Sequence, residues 1–230
     1  MRIRTRIAVS TSALGLTLSG VATAPAYGDD TVPDVPSAVT GTLSPEEEEE
    51  VHRELDDAPK VDMWLNGQKV DPSSEDLHGA EVCAEVSEDG TMECFDTPEA
   101  SNTYLARHAP TEASRRGAAE AATARRYQDC PSDWVCLWQH ADYKGRRLQW
   151  PTYPSAKTRH LDQYSPSFRD KASSAYVNRM QRGVTLYDFR TARPDPKLIL
   201  ASGRTLWSNF KNYDYAYGGN WNDKADAIKF

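Results

Sequence analysis

The chain has 230 residues, a formal net charge of −7 and 39% hydrophobic residues. That composition excludes a multi-span membrane protein and fits one folded domain with flanking segments. The charge is unevenly spread: residues 27–129 hold 25 Asp and Glu against 8 Lys and Arg, whereas residues 130–230 hold 9 against 16, with no Glu and five of the six tryptophans.

Arg2, Arg4 and Arg6 precede an apolar run from Ile7 to Val21, closed by Ala24-Pro25-Ala26. This is the pattern of a secretory signal peptide over 1–26. The run is interrupted by Ser10, Thr11 and Ser12 and falls short of the ~20 residues of a membrane span. The expected product is secreted and extracellular, where disulfides persist.

Residues 27–60 are rich in Pro, Asp, Ser and Thr and include the run Glu46–Glu50. They read as an acidic disordered segment, although Ser44-Pro45-Glu46 could start a short helix. Residues 61–98 read as a small β unit. A hairpin turns at Asn66-Gly67, and two further strands flank Ser87-Glu88-Asp89-Gly90 in a register that sets Cys83 opposite Cys94. Residues 99–128 read as an Ala-rich linker, helical in part, with dibasic pairs at Arg115-Arg116 and Arg125-Arg126 as candidate processing sites. Cutting there would release the basic domain from an acidic mask.

Residues 129–230 contain a duplication. Val135-Cys136-Leu137-Trp138 recurs as Val184-Thr185-Leu186-Tyr187, and Phe168-Arg169-Asp170-Lys171-Ala172 recurs as Trp221-Asn222-Asp223-Lys224-Ala225. Each copy reads as a strand, a hairpin, an excursion, an Asp-Lys-Ala turn and a closing strand, at Ser174–Asn178 and Ala227–Phe230. The expected fold is an all-β C-terminal domain of two Greek-key halves packed as a small sandwich. Trp138, seven residues before Gly145, suits a folded-over hairpin. Of the three ways to pair four cysteines, Cys130 with Cys136 and Cys83 with Cys94 is preferred because both pairs are local.

The Cys130-Pro131 opening, the Trp138 to Gly145 spacing and the repeated Asp-Lys-Ala segment resemble the secreted actinobacterial metalloproteinase-inhibitor family of βγ-crystallin-like fold, over about residues 128–230. The resemblance implies a rigid module that binds a secreted metalloprotease through a loop. The candidate is Phe189–Pro196, with Arg190, Thr191, Ala192, Arg193 and Pro194 at its centre. It departs from the family pattern in carrying only Cys130 and Cys136 within the domain. Crystallin-like domains often bind calcium at paired acid and serine motifs. That makes Asp170, Ser173, Asn222, Asp223 and Asp226 candidate ligands, with Arg169 standing where the first motif wants an acid. No cofactor is otherwise expected.

An enzyme is the least supported class, since the C-terminal domain has only His140 and His160 and the chain lacks His-Glu-x-x-His, Gly-x-Ser-x-Gly and phosphate-loop motifs. Nucleic acid is disfavoured as a partner by export. An anionic cell-wall polymer is the alternative, read by an envelope-binding or killer-toxin-like module.

Overall fold

The computed structural model describes residues 36, 38–71, 77, 79–124 and 126–230. The signal-peptide expectation and Arg125 lie outside the described residues.

The C-terminal half is built from eight strands: β6 (Trp134–His140), β7 (Lys144–Pro151), β8 (Thr158–His160), β9 (Ser174–Asn178), β10 (Val184–Tyr187), β11 (Pro196–Leu200), β12 (Thr205–Trp207) and β13 (Ala227–Lys229). One sheet contains the order β12-β9-β6-β7 and the other β11-β10-β13-β8. In each half the fourth strand returns beside the first, as in a Greek key, and the third strand crosses to the other half's sheet. Neither half therefore closes its own sheet, and the two bury a common core that includes Leu137, Leu148, Trp150, Leu186, Leu198, Trp207 and Ile228.

The duplication is visible bond by bond. Trp138 lies opposite Ser174, and Tyr187 lies opposite Ala227. The Ser173 amide donates to the Trp138 carbonyl at 2.9 Å, and the Asp226 amide donates to the Tyr187 carbonyl at 2.7 Å. The two Asp-Lys-Ala turns face each other: Asp170 N–H bonds Ala225 O at 3.0 Å, and Asp223 N–H bonds Ala172 O at 3.1 Å. Asp170 and Asp223 share the left-handed conformation, φ 55° and 56°, which Asp tolerates better than most side chains. In the first hairpin Gly145 has φ 75°, and a Cβ there would meet the His140 ring at 2.7 Å. The ring nearest this turn is therefore His140 rather than Trp138, which packs edge-on against Tyr143.

The described residues between 38 and 124 wrap around this sandwich. Strand β1 (Val39–Thr42) pairs antiparallel with β11. Strands β2 (Asp62–Leu65), β3 (Gln68–Lys69), β4 (Val82–Glu85) and β5 (Thr91–Phe95) extend the other sheet, with β4 parallel to β7. The β11 edge of one sheet and the β7 edge of the other are thereby paired. The expected hairpin at Asn66-Gly67 joins β2 and β3, and Cys83 lies opposite Cys94.

Three helices cover the outer sheet faces. Helix α1 (Pro45–Asp56) opens with a capping box, Ser44 accepting the Glu47 amide and Glu47 accepting the Ser44 amide, and carries three acids in its first turn. Helices α2 (Pro98–His108) and α3 (Glu112–Ala121) start from Thr97 and Thr111 caps. They bury Leu105, Ala109 and Ala118 against Trp134, Trp138 and the Cys130–Cys136 disulfide. Gly117 of α3 approaches so closely that a Cβ would sit 2.1 Å from the Ser132 carbonyl oxygen.

This corrects two readings. Val39–Thr42 and Pro45–Asp56 are a strand and a helix within a segment read as disordered, because Val51 and Leu55 find an apolar partner in Tyr187 and Ala227. The Ala-rich segment is packed structure rather than a free linker. Residues 33–230 form one compact unit, so the boundaries drawn at 60, 98 and 128 mark changes of composition and not breaks between bodies. Among the described residues no helix is long and apolar enough to cross a membrane.

Candidate functional site

The connection between β10 and β11 leaves Arg190, Thr191, Ala192, Arg193 and Pro194 exposed, between a buried Asp188 and a buried Asp195. Pro194 and Pro196 fix φ and have no amide to donate. The rest of the loop is tied down. The Asp195 carboxylate accepts the Arg190 amide at 2.6 Å, and Asp226 accepts the Phe189 amide at 2.7 Å. The N-terminal end of the tip is therefore held by two buried carboxylates, one of them that of Asp195 at its far end.

The arginine side chains are held as well. Arg190 donates through Nε to Tyr215 Oη at 2.9 Å and through Nη2 to Asp188, which also accepts the Tyr215 hydroxyl. Its guanidinium lies 5.6 Å from the Tyr215 ring centroid, and that of Arg193 lies 5.1 Å from Tyr217. Tyr217 Oη donates to Pro194 O at 2.6 Å. Burial, followed by donation to Asp188, pushes the Tyr215 hydroxyl well above the usual phenol range. A surface recess of about 400 Å³ runs between the tip and these two tyrosines. The loop is thus a cationic, aromatic-backed projection set before any partner arrives.

The calcium candidates fall into two groups. Ser173 Oγ is 3.0 Å from Asp223 Oδ1 and donates to Gln139 O at 2.8 Å, while Asn222 Nδ2 donates to Asp223 Oδ2 at 2.6 Å. Asp226 and Asp170 instead share Arg169, whose Nε lies 2.6 and 3.8 Å from their oxygens. Burial, with added repulsion from Asp170 and Asp188, pushes the Asp226 carboxyl up to about 6 against the pull of the Phe189 amide and Arg169. Among the described residues no group of three or more His, Cys, Asp or Glu is placed to hold a metal ion. The four cysteines form the disulfides Cys83–Cys94 and Cys130–Cys136. Of the dibasic pairs, Arg115 is held in α3 by the Ala109 carbonyl, and Arg116 pairs with Glu112.

Asp188, Tyr215 and Tyr217 were not singled out from sequence, and Asp195 entered only as part of the Phe189–Pro196 loop, with no role of its own. The one local signal for the two tyrosines is the alternation Tyr213-Asp214-Tyr215-Ala216-Tyr217, which marks a strand-like stretch without saying what it supports.

Residues 123–192 match the model of peptidase inhibitor family I36. Over that stretch the chain is similar to a peptidase-inhibitor family. The match takes in the whole first Greek-key unit, enters the second and reaches Ala192 within the exposed loop. The similarity is to proteins that inhibit peptidases, which points to a peptidase as partner. No curated protein and no solved structure matches the chain, so the crystallin-like part of the resemblance has no matched structure behind it.

Proposed function

We propose that this chain is an exported inhibitor of an extracellular metallopeptidase, and that Arg190–Pro194 is the segment laid into the peptidase cleft. The observation that carries the reading is the double anchorage of an exposed tip: Asp195 on the Arg190 amide and Asp226 on the Phe189 amide. An inhibitor loop must sit in a cleft in extended form without being turned over. Ordering such a loop at binding costs about 0.5–1.5 kcal/mol for each immobilised flexible side chain. Here the fold has already met that cost for Arg190 and Arg193. Export is supported by the signal-like N-terminal sequence and by two disulfides. The metallopeptidase class rests on the sequence resemblance.

The test is a titration of the purified chain against a panel of secreted peptidases of metallo, serine and cysteine type. Inhibition of a thermolysin-type enzyme near one-to-one stoichiometry is expected, with loss of affinity in an Arg190→Ala/Arg193→Ala variant. If no peptidase is inhibited and the chain instead sediments with cell envelopes in a salt-reversible way, the reading fails in favour of a wall-binding module.

A further inference from the structure

The base of the loop is gripped by the segment least expected to be there. Glu48, Val51, His52 and Leu55 recur at the i, i+3, i+4, i+7 spacing of one helix face. Val51 and Leu55 are buried with Tyr187 and Ala227. Glu48 Oε1 accepts the Asp195 amide at 2.6 Å, and His52 Nε2 lies 3.1 Å from Asp195 Oδ2. The His52 ring sits 4.9 Å from that of Phe189. Just before α1, the Leu43 amide donates to the Asp195 carbonyl at 2.8 Å. Asp195 itself is 3% exposed, and its other carboxylate oxygen accepts the Arg190 amide at 2.6 Å.

We infer that α1 is a working part of the presentation loop, with Glu48 and His52 as positioning residues that act through Asp195 on the Arg190 amide. The consequence for inhibition rests on the function proposed above; the consequence for loop order does not. Net charge does not account for these contacts. Glu47 and Glu54 pair with Lys197 and Lys229 at 2.6 and 2.7 Å, as an acidic mask would. Glu48 instead places a second carboxylate beside Asp195 in order to accept a backbone amide. Nor does α1 hide the tip, since Arg190–Pro194 stay exposed. Removing the segment would take these partners from the Asp195 amide and carbonyl and open the base of the loop to water, which loosens it. The acidic segment thus completes the site rather than masking it.

The test compares full-length wild type with Glu48→Ala, Glu48→Gln and His52→Ala. Three quantities are read: exchange of the Arg190 amide, tryptic nicking at Arg190–Thr191 mapped by mass, and the inhibition constant. Glu48→Ala removes a hydrogen bond to a charged acceptor, so exchange and nicking should rise about tenfold. Exchange of the core Leu137 and Leu186 amides should stay unchanged. Glu48→Gln keeps an acceptor oxygen and should lie within about twofold of wild type, a rescue that a merely bulky filler would not require. Inhibition should weaken about tenfold in Glu48→Ala. If Glu48→Ala proves poorly folded, His52→Ala, which removes the contact to the Asp195 carboxylate together with the ring contact to Phe189, is expected to raise nicking about threefold with the core unaltered. Unchanged Arg190 exchange and nicking in both alanine variants would overturn the inference, and so would tighter inhibition by Glu48→Ala, the result of a mask. If wild type inhibits nothing, the proposed function fails, while exchange and nicking still decide the role of α1.

Discussion

Arg159→Met tests whether the N-terminal half is bound into the C-terminal sandwich. Arg159, on β8, meets Glu85, on β4, through Nε and Nη2 at 3.0 Å each, with side-chain exposures of 2% and 0%. Its Nη1 and Nη2 also donate to the Thr158 and Glu88 carbonyls. Methionine fills much of the volume but leaves the Glu85 carboxylate buried without its counter-charge, a loss of about 3–5 kcal/mol at pH 7. For a chain of this length that is a fall in Tm of roughly 6–20 °C. Burial already raises the pKa of Glu85 with Arg159 in place. Without the guanidinium, the folded state should hold a proton that the unfolded chain releases. The group's contribution is then favourable at low pH and is lost as pH rises through the folded pKa, so the deficit of Arg159→Met should shrink between pH 7 and pH 4.5. Replacing both partners, Glu85→Leu with Arg159→Met, should recover most of the loss. Denaturant unfolding under oxidising conditions measures wild type and both variants. A loss under about 1 kcal/mol at pH 7, or a double variant no better than the single one, would refute the reasoning.

Two further changes probe the packing and the loop anchor. Gly117→Ala should destabilise by about 1–3 kcal/mol, because its Cβ would meet the Ser132 carbonyl oxygen at 2.1 Å, although alanine gains about 1 kcal/mol in helix propensity; a more stable variant in denaturant unfolding would contradict the packing of α3 on the Cys130–Cys136 loop. Asp226, pushed up to about 6, binds a proton more readily folded than unfolded. Its contribution is therefore present below the ordinary carboxylate range and lost as pH rises through 6. The Tm advantage of wild type over Asp226→Asn should fall from pH 4 to pH 7, and a pH-independent difference would show that Asp226 does not titrate in that window.

The duplicated half was legible because its signals are local and repeated. Val135–Trp138 and Val184–Tyr187 are the first strands of equivalent units, and Asp170 and Asp223 occupy the same left-handed turn. The Cys83 and Cys94 register followed from one hairpin. The remainder depends on distant partners. A run of glutamates reads as a solvated tail until Lys197, Lys229 and the Asp195 amide are brought beside it, although the spacing of Glu48, Val51, His52 and Leu55 already traces one helix face. The parallel pairing of β4 with β7 joins residues more than sixty positions apart and has no turn to announce it. The exposed tip could be picked out by its prolines and arginines. The buried Asp188 and Asp195 that hold it could not, because nothing local separates a satisfied buried carboxylate from a surface one.

Amide hydrogen exchange of the chain, alone and saturated with a thermolysin-type metallopeptidase, bears most directly on the site. Strong added protection at Thr191 and Ala192, with little change on the α2 and α3 face, is the expected result. A complex that protects some other surface and leaves those two amides exchanging freely would contradict the account.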